Sequence, residues 1–397
     1  MNDLVILVGG RGKRLGKVTK HTPKPLVKIK NKKFLDILFS KFIKYNFNKI
    51  FLICSYKKDK FFKLYHKKKI HNSEIICIDE GSPKDTGGGL YKLRKLIKGS
   101  FFLINGDSFF DVDLNILSNL KLEKNVIACM AITKNKGYKK NDKMNNLIID
   151  KKNYVKYSKK KSYYMNGGIY FFKKKIFDFI KNKKISLEKN ILNQLILKRK
   201  IKGIFSKQYF IDMGTIKKLK LLKINANILK QKAVFLDRDG VINKLNLNGY
   251  IKDYKEFTFL PGVVEGIKFL NKNGYLIIVI TNQACVGKNI INEKKLNTIH
   301  FKMKNYLMKK NKSYVDDIFY SPYYKYSNHS KYRLNKFDRK PNPGMILKAV
   351  NKWNINLKKS FFIGDQITDF KAAKKAGLKF YYKENKPLLN QLIKITK

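Results

Sequence analysis

Short apolar runs alternate with segments of helical periodicity in the first part of the chain. Four of the runs have the length and composition of buried strands: DLVILV, KIFLIC, EIICID and SFFLIN. Two amphipathic stretches lie among them, FLDILFSKFIKYN and GGGLYKLRKLI. Such alternation is typical of parallel strands joined by crossover helices. The pattern therefore predicts an α/β fold.

The apolar runs lie closer together between about residues 125 and 212. Three strand-like runs occur there, NVIACMAIT, YYMNGGIYFF and KGIFS, with one helix-like stretch from Leu187 to Lys200. Closely spaced strands favour antiparallel pairing, which would extend the parallel strands into a mixed sheet. The following segment, 215–231, has the pattern of one amphipathic helix and is expected to connect two domains.

A second alternation of strands and helices begins after residue 231. Its predicted strands are AVFLD, YLIIVIT, DDIFYS and SFFIG, and its predicted helices are 263–273, 293–310, 344–353 and 369–376. A chain of 397 residues exceeds what one hydrophobic core usually serves. We therefore predict two domains, 1–230 with a mixed sheet and 231–397 with a parallel sheet.

Composition supports a folded, water-soluble protein, since 44% of the residues are hydrophobic and 13% are aromatic. The longest apolar runs fall well short of the ~20 residues that a membrane-spanning helix needs. The N-terminus lacks the basic region and cleavage site of a signal peptide. The four cysteines form no CxxC pair. These features predict a cytoplasmic protein with reduced thiols and no membrane insertion.

The net charge is +60, from 88 Lys and Arg against 28 Asp and Glu. A charge of this size is compatible with nucleic-acid binding. The lysines, however, are spread along the whole chain and accompany abundant Asn, Ile, Phe and Tyr, the residues that AT-rich codons encode. Genome composition is therefore one explanation and a functional anion-binding surface is the other. In both cases the field attracts phosphorylated substrates.

A glycine-rich loop, GGRGKRLG, follows the first predicted strand. Gly9, Gly10 and Gly12 allow a tight turn that points backbone N–H groups at an anion. Arg14 and Lys24 add positive charge suited to a polyphosphate. The loop is not a Walker loop, since no GK[ST] follows at the required spacing. A glycine-rich turn after a strand can also be only a turn.

Asp107 and Asp212 each come at the end of a predicted strand. Ligands of open α/β sheets bind at the carboxyl ends of the strands, and carboxylates there can hold Mg²⁺. Two such aspartates beside a phosphate loop would form a site for metal-assisted phosphoryl or nucleotidyl transfer. Taken singly, each aspartate could instead cap a helix or a turn.

Together these motifs resemble the sugar-1-phosphate nucleotidyltransferases over about residues 1–225. The family's GGxGxRL…PKP signature is matched by Gly9, Gly10, Gly12, Arg14, Leu15, Pro23, Lys24 and Pro25. One position departs from the signature, since Lys13 stands where a threonine is usual. The resemblance implies nucleotidyl transfer from a nucleoside triphosphate to a sugar 1-phosphate, with Arg14 and Lys24 as catalytic cations.

The same resemblance assigns further site residues. It implies a nucleotide site made of Gly9, Gly10, Gly12, Arg14, Lys24, Thr86, Gly87 and Gly88, the last three from the segment DTGGGL. It implies that Asp107 and Asp212 bind Mg²⁺ and that Asn166, Gly168 and Glu188 contact the sugar. The segments NGDSFFDVDL and SLEKNIL are most similar to the guanylyltransferases that act on D-glycero-D-manno-heptose 1-phosphate, which favours GTP as the nucleotide.

The second predicted domain opens with the motif DRDGVIN. Asp237 and Asp239 stand two residues apart just after an apolar strand. One carboxylate can attack phosphorus and the other can protonate the leaving oxygen and later activate water. Thr281, Lys340 and Asp365 follow in order and could supply a hydroxyl, an ammonium and a Mg²⁺ ligand.

This half resembles the haloacid dehalogenase phosphatases, and within them the branch that contains D,D-heptose 1,7-bisphosphate phosphatase and histidinol phosphatase. FLDRDGVIN, FLPGVVEGI and TNQ carry the resemblance. It implies that Asp237 is the nucleophile and Asp239 the acid/base, while Thr281 and Lys340 hold the phosphoryl group. It also implies that Asp237, Asp239 and Asp365 bind Mg²⁺. No insertion is long enough for a large cap domain.

Specificity residues are implied in the same way at Asn282, Gln283 and Arg339, which would contact the sugar. Gln366 stands where heptose phosphatases often have a lysine. Proteins of this branch often carry a zinc loop of Cys and His before the lysine motif.

In this chain, residues 321–341 have Ser321, Lys336 and Asp338 where thiolates would be expected, and His329 alone remains. Structural zinc needs about four Cys or His ligands. No zinc is therefore expected.

The two resemblances meet in one pathway, because a heptose 1,7-bisphosphate phosphatase yields the 1-phosphate that a heptose guanylyltransferase consumes. We therefore predict a bifunctional enzyme that binds sugar phosphates and a nucleoside triphosphate and has no specific nucleic-acid partner. One alternative is the same pair of activities on mannose or N-acetylmuramate 1-phosphate with another nucleotide. Another is a basic nucleic-acid-binding or anionic-membrane protein with vestigial enzyme folds.

Overall fold

The computed structural model describes the chain except residues 71–72, 82–84, 121, 135–145, 159–161, 163, 334–336 and 397. It divides into two compact units, Met1–Ala226 and Asn227–Lys397. The sequence analysis places the boundary a few residues later, near Gln231. Each unit has its own sheet and its own hydrophobic core.

The first unit contains two kinds of regular elements. Its strands are β1 (Asp3–Leu7), β2 (Lys28–Ile29), β3 (Lys32–Lys33), β4 (Lys49–Cys54), β5 (Lys69–Ile70), β6 (Ser73–Asp79), β7 (Phe101–Asn105), β8 (Ser108–Phe110), β9 (Ala128–Lys134), β10 (Leu147–Ile149), β11 (Val155–Tyr157), β12 (Tyr164–Phe172), β13 (Ile201–Phe205) and β14 (Phe210–Asp212). Its α-helices are α1 (Lys17–Lys20), α2 (Phe34–Phe42), α3 (Lys58–Tyr65), α4 (Asp85–Gly88), α5 (Leu114–Asn119), α6 (Asn193–Leu197) and α7 (Ile216–Ile224).

The main sheet of this unit has the order β11-β10-β12-β7-β1-β4-β6-β5, with β9 paired to β12 and β13 to β9. β7, β1, β4 and β6 are parallel neighbours, and β12 joins β7 in antiparallel orientation. The central strands are buried along nearly their whole length, as expected when both faces of a sheet are covered. The predicted mixed sheet is confirmed.

Three predicted helices differ from those in the structure. The stretch GGGLYKLRKLI contains the end of the short α4, a 3₁₀-helix (Gly89–Leu93) and a turn. The helix after Ser186 begins with a π-helical turn (Leu187–Leu192) before it continues as α6. The expected single connecting helix is interrupted at Asn225, because α7 ends there and a 3₁₀ turn (Ala226–Leu229) follows. In each case backbone bonding departs from the regular period that amphipathic spacing predicts.

The second unit is a five-stranded parallel sheet packed against helices. Its strands are β15 (Ala233–Leu236), β16 (Leu276–Asn282), β17 (Asp317–Ser321), β18 (Phe361–Gly364) and β19 (Lys379–Tyr382). Its helices are α8 (Val263–Lys272), α9 (Ala284–Gly287), α10 (Glu293–Asn311), α11 (Ser330–Arg333), α12 (Gly344–Trp353), α13 (Ile367–Lys375) and α14 (Leu388–Thr396). The strand order is β17-β16-β15-β18-β19, and all four pairings are parallel. The predicted parallel sheet is confirmed.

No helix among the described residues combines the length and the apolar content that a bilayer span requires.

Phe172 tests the packing of the first core. Its ring is fully buried, 5.7 Å from Phe101 and 5.4 Å from Tyr170 between ring centroids. We expect Phe172→Ala to lower the free energy of unfolding of this unit by about 3–5 kcal/mol, because it removes buried surface and leaves a cavity. Leu197→Ala, at a position 69% exposed, should change it by less than about 0.5 kcal/mol. Denaturant unfolding of both variants measures the difference.

Candidate active sites

A pocket of about 370 Å³ opens at the carboxyl ends of the parallel strands of the first unit. It is lined by Leu7, Val8, Gly9, Gly10, Arg11, Lys24, Pro25, Ile53, Ser55, Glu80, Asp85, Thr86, Asn105, Asp107 and Glu188. Parallel strands place all their carboxyl ends at one sheet edge, which is where α/β proteins bind ligands. Residues from seven separate segments therefore meet here: 7–11, 24–25, 53–55, 80, 85–86, 105–107 and 188.

The glycine loop after β1 needs glycine at two positions for different reasons. Gly12 has a left-handed φ of 63°, and its carbonyl accepts hydrogen bonds from the Leu15 amide and the Thr19 hydroxyl. A Cβ placed on Gly9 would lie 2.9 Å from the Cβ of Ser55. The loop thus turns sharply and runs close to the end of β4, which leaves its backbone exposed to a ligand.

Lys24 and Asp107 form the charged end of this pocket. Lys24 is buried, and its Nζ lies 2.5 Å from Oδ2 of Asp107. Asp107 follows β7, and its carbonyl accepts a hydrogen bond of 2.9 Å from the amide of Met213. This bond brings the residue next to Asp212, which pairs with Ser108 across the β8–β14 ribbon.

Asp212 is held in its ionised form. Burial raises the pKa of this carboxyl, but hydrogen bonds from Lys218 and the Gly214 amide, with the charge of Lys24, outweigh burial and hold the pKa below its usual value. Arg14 packs beside the same turn, since a Cβ on Gly214 would lie 3.4 Å from its Nη2. Asp107 and Asp212 together offer carboxylate oxygens, which are the donors that fit Mg²⁺.

The predicted sugar-contacting residues of NGGIY have their polar groups turned to the protein. The Asn166 amide donates to the Tyr170 hydroxyl over 2.6 Å and accepts from the Gly168 amide over 2.9 Å. Gly168 has φ 70°, and a Cβ there would lie 2.9 Å from Nδ2 of Asn105. These residues shape an irregularity in β12 that seats Asn105 at the pocket.

Thr86 and Glu188 lie together and both line the pocket. The Thr86 hydroxyl donates to Oε2 of Glu188 over 2.9 Å. The amides of Gly87 and Gly88 donate to the carbonyl of Ile185, over 2.9 and 3.2 Å. The segment predicted to bind the nucleotide is therefore fastened to the segment predicted to bind the sugar.

Ser55, Glu80 and Asn105 line this pocket but were missed by the motif analysis. Each stands at or just after the end of a strand of the parallel sheet. Their position after an apolar run, the same feature that identified Asp107, could have found them.

The second unit has a pocket of about 220 Å³ at the carboxyl edge of its sheet. It is lined by Asp237, Asp239, Leu245, Asn246, Gly249, Tyr250, Ile251, Thr281, Asn282, Lys340, Asp365, Gln366 and Thr368. The five predicted catalytic and metal residues of this half are thus brought together. The segment 245–251 forms one wall and was not predicted from the sequence.

Lys340 is the central cation of this pocket. It is buried, and its Nζ lies 2.9 Å from Oδ2 of Asp237 and 2.6 Å from Oδ1 of Asp369. Burial disfavours the charged lysine, but the two carboxylates outweigh burial and raise its pKa. Burial raises the pKa of Asp237 to about 7, opposed by Lys340 and reinforced by Asp369 and Asp239.

Three carboxylates of this pocket, Asp237, Asp365 and Asp369, have oxygens within 4.8 Å of one another. With all three ionised, one lysine would leave two negative charges for another cation to offset. Oδ1 of Asp365 is buried without a hydrogen-bond partner among the described residues. An orphaned oxygen and uncompensated charge fit a divalent cation such as Mg²⁺. Asp369 was not predicted, although it lies in the same FIGDQITD motif as Asp365.

The carboxylate of Asp239 is held by three side chains. Arg238 donates two hydrogen bonds of 2.9 Å from Nη2, one to each oxygen, while Asn243 and Gln283 donate over 3.0 and 2.7 Å. Burial raises the pKa of Asp239, but these donors outweigh it and the pKa falls below its usual value. Nε2 of His300 lies 3.1 Å from Nη1 of Arg238. Burial and the Arg238 charge lower the pKa of His300 to about 3, which keeps the ring neutral.

The three predicted sugar contacts of this half are engaged with the protein. The Asn282 side chain bonds both main-chain groups of Lys340 over 3.1 Å, and it lines the pocket as well. Gln283 is buried and bonds Asp239 and Thr281. Arg339 donates to the carbonyl of Tyr323 over 2.8 Å. In this structure all three therefore position neighbouring residues.

Glu293, at the start of α10, ties down the loop that precedes the lysine motif. Its carboxylate accepts hydrogen bonds from Tyr332 (2.6 Å), Lys331 (2.9 Å) and Tyr320 (3.2 Å). These donors hold the pKa of Glu293 below its usual value. Of the positions where related proteins carry zinc-binding thiolates, Lys336 lies outside the described residues, while Ser321 and Asp338 are buried. A hydrogen-bonded carboxylate stabilises the described part of this loop.

Comparison with known proteins assigns both halves to families. The nucleotidyl transferase family model matches residues 4–231, and the haloacid dehalogenase-like hydrolase model matches residues 165–377. Each match spans more than half of the chain, and hence the protein belongs to both the nucleotidyl transferase and the haloacid dehalogenase-like hydrolase families. It is an enzyme with a nucleotidyltransferase half and a phosphatase half.

Particular relatives match one half each. The D-glycero-alpha-D-manno-heptose 1-phosphate guanylyltransferase of Campylobacter jejuni is 34% identical over 216 residues, which cover 53% of this chain and 93% of that protein. The D-glycero-beta-D-manno-heptose-1,7-bisphosphate 7-phosphatase of Rhodopseudomonas palustris is 34% identical over 155 residues, 39% of this chain and 84% of that protein. The D-glycero-alpha-D-manno-heptose-1,7-bisphosphate 7-phosphatase of Burkholderia mallei is 35% identical over 150 residues, 38% of this chain and 78% of that protein.

The anchoring of the loop by Glu293 can be tested directly. We expect Glu293→Gln to speed amide hydrogen exchange across 322–333 by about tenfold or more, because hydrogen bonds to a charged acceptor are lost. Elemental analysis of the parent protein, as the control, should find no stoichiometric zinc. Unchanged hydrogen exchange in Glu293→Gln would show that Glu293 does not stabilise the loop. About one zinc per chain in the parent protein would show that a metal ion stabilises it instead.

Proposed function

We propose that this chain catalyses two consecutive steps of nucleotide-activated heptose synthesis. The second unit removes the C7 phosphate of D-glycero-α-D-manno-heptose 1,7-bisphosphate. The first unit transfers GMP from GTP to the resulting heptose 1-phosphate and releases pyrophosphate. One observation carries the proposal: the relatives of the two halves are named for compounds that differ only by the C7 phosphate.

The choice of anomer follows from the chemistry of the first step. Hydrolysis at C7 leaves the configuration at C1 unchanged, and the anomer of the bisphosphate is therefore the anomer that the transferase receives. The guanylyltransferase relative is named for the α-anomer, whereas phosphatase relatives are named for either. A chain in which both halves serve one route therefore uses the α-bisphosphate.

In the phosphatase unit, the Asp237 carboxylate attacks phosphorus and the bond to the sugar oxygen breaks as Asp239 protonates that oxygen. Water, deprotonated by Asp239, then hydrolyses the aspartyl phosphate. Lys340 and Thr281 bind the transferring group and offset its negative charge. Mg²⁺, held by Asp237, Asp365, Asp369 and the main-chain carbonyl of Asp239, would supply further positive charge to the phosphoryl oxygens.

In the transferase unit, a phosphate oxygen of the sugar 1-phosphate attacks the α-phosphorus of the nucleotide in line, and pyrophosphate leaves. Both reactants are anions, and most of the rate enhancement comes from positioning them and offsetting their charge. Lys24, which contacts Asp107, and Arg14, which lies beside the turn after Asp212, serve this role. Mg²⁺ held by these two aspartates would add to the same charge balance.

Glu80 supports guanine as the base. Along the sheet edge, Asp107 follows β7 and the glycine loop follows β1, whereas Ser55 follows β4 and Glu80 follows β6. Phosphates bound at the β7 and β1 end leave the base over β4 and β6. Glu80 is buried there, and its Oε2 would lie 3.4 Å from a Cβ placed on Gly9.

A carboxylate accepts hydrogen bonds and donates none. Guanine presents two adjacent donors, N1–H and the N2 amino group, to such an acceptor. Adenine and cytosine each have an acceptor beside their amino group, and uracil flanks its single donor with two acceptors. Guanine is therefore the base whose edge suits a carboxylate such as Glu80.

Substitution of one nucleophile should separate the two activities. Asp237→Asn replaces the carboxylate with a poor nucleophile, and we expect phosphate release from heptose 1,7-bisphosphate to fall at least about 1,000-fold, in line with the loss of a covalent catalyst. The same variant, given heptose 1-phosphate and GTP with Mg²⁺, should form GDP-heptose at near the parent rate. Mass spectrometry of the products measures both steps.

The matched control is Asp107→Asn, which should show the opposite pattern, with pyrophosphate release lost and phosphate release kept. If both activities fall together in either folded variant, the assignment of one step to each unit is wrong.

Base selection by Glu80 predicts a change of nucleotide preference. Glu80→Gln replaces one acceptor with a donor, and we expect the ratio of kcat/KM for GTP over UTP to fall about 10- to 100-fold, as for one bidentate pair. Glu74→Gln, near the start of the same strand, should leave the ratio unchanged. Competition between labelled nucleotides gives the ratio directly, and an unaltered preference in Glu80→Gln would remove Glu80 from base recognition.

A further inference from the structure

The segments 85–88 and 185–188, far apart in sequence, are fastened together at the pocket of the first unit. Two amides of α4 donate to one carbonyl, that of Ile185. The amide of Leu187 donates to the hydroxyl of Thr86 over 3.0 Å, and that hydroxyl donates to Glu188. The family resemblance implies separate roles for these segments, nucleotide binding for the first and sugar binding for the second.

The Thr86 hydroxyl is committed to this junction. A threonine hydroxyl has one proton to donate, and here that proton goes to Oε2 of Glu188. One of its lone pairs accepts from Leu187. Thr86 therefore has no second proton to donate in a hydrogen bond to an acceptor on a nucleotide base.

Gly87 is also explained by the junction. A Cβ at this position would lie 2.8 Å from the Ile185 carbonyl oxygen and 2.8 Å from Cδ1 of Ile191. Both distances are closer than ordinary contacts, and a side chain would push the two segments apart. The glycine is required by the approach of the sugar segment.

Glu188 is oriented by these contacts. It lies in the π-helical turn that follows Ser186, and its carboxylate lines the pocket. Among the described residues, hydrogen bonds to this carboxylate come from Thr86 (2.9 Å) and Ser186 (3.4 Å), and both go to Oε2. Oε1 is therefore the oxygen that can accept hydrogen bonds from the hydroxyl groups of a ligand.

We propose that Thr86 is a positioning residue of the acceptor site: its hydroxyl holds the Glu188 carboxylate toward the sugar 1-phosphate. This inference rests on the proposed transferase reaction. It transfers Thr86 from the nucleotide site, where the family resemblance places it, to the site of the second substrate. Nucleotide affinity is then independent of the hydroxyl, whereas acceptor affinity depends on it.

The test is the effect of Thr86→Val on the two substrates separately. Valine keeps the shape and removes the hydroxyl, and we expect the KM for the sugar 1-phosphate to rise about tenfold, the loss expected for one hydrogen bond to a charged group. The KM for the nucleoside triphosphate should stay within about twofold. Thr86→Ser restores the hydroxyl and should recover acceptor affinity.

A double-mutant cycle with Glu188→Ala, which removes the acceptor of the Thr86 proton, shows whether the hydroxyl acts through Glu188. In the Glu188→Ala background, adding Thr86→Val should raise the acceptor KM by no more than about twofold. A raised nucleotide KM with an unchanged acceptor KM in Thr86→Val, or full additivity in the cycle, would overturn the proposal. Equal melting temperatures of parent and variants exclude a general folding defect.

The parent protein is first assayed with heptose 1-phosphate and GTP, and failure there counts against the proposed function alone. A panel of sugar 1-phosphates then identifies the acceptor used for the variants. Calorimetric binding of that acceptor, in the presence of a non-hydrolysable analogue of the accepted nucleotide, provides the same comparison without turnover. Tight acceptor binding by Thr86→Val in this measurement would contradict the inference.

Discussion

Parallel pairing of strands determines where chemistry occurs in both units. Because parallel strands present their carboxyl ends at one edge, side chains that follow separate strands lie close together there. In the first unit this edge carries Asp107, the glycine loop and Glu80, and in the second it carries Asp237, Thr281 and Asp365. The helices that bury both faces of each sheet leave this edge as the place where polar groups reach a ligand.

Charge burial is the second common feature of the two sites. Lys24 pairs with Asp107, and Lys340 pairs with Asp237 and Asp369, with both lysines almost inaccessible to solvent. Buried ion pairs contribute little net stability, because desolvation offsets their attraction. Their retention at strand ends is consistent with a catalytic role, since phosphate groups need fixed positive charge in a site that excludes water.

Several residues act through their neighbours. Gln283 and Asn282 hold Asp239 and Lys340, Asn166 supports the turn that seats Asn105, and Glu293 fastens the loop before the lysine motif. These contacts order side chains whose positions would otherwise depend on bound substrate. Preorganisation of this kind is what transition-state stabilisation by charge requires.

The sequence alone determined the two-unit α/β organisation, the mixed and parallel sheets, and the carboxylates after β7, β15 and β18, because apolar runs followed by acidic residues are local patterns. It did not determine that the Asp369 and Asp237 carboxylates lie together, that Glu80 lines the first pocket, or that Thr86 bonds Glu188. Those pairings join segments up to about 130 residues apart. It also missed the π-helical turn at Glu188 and the break at Asn225, since amphipathic spacing records which face is buried and not which carbonyl each amide reaches. Such details depend on how strands and helices pack, and only the tertiary structure decides them.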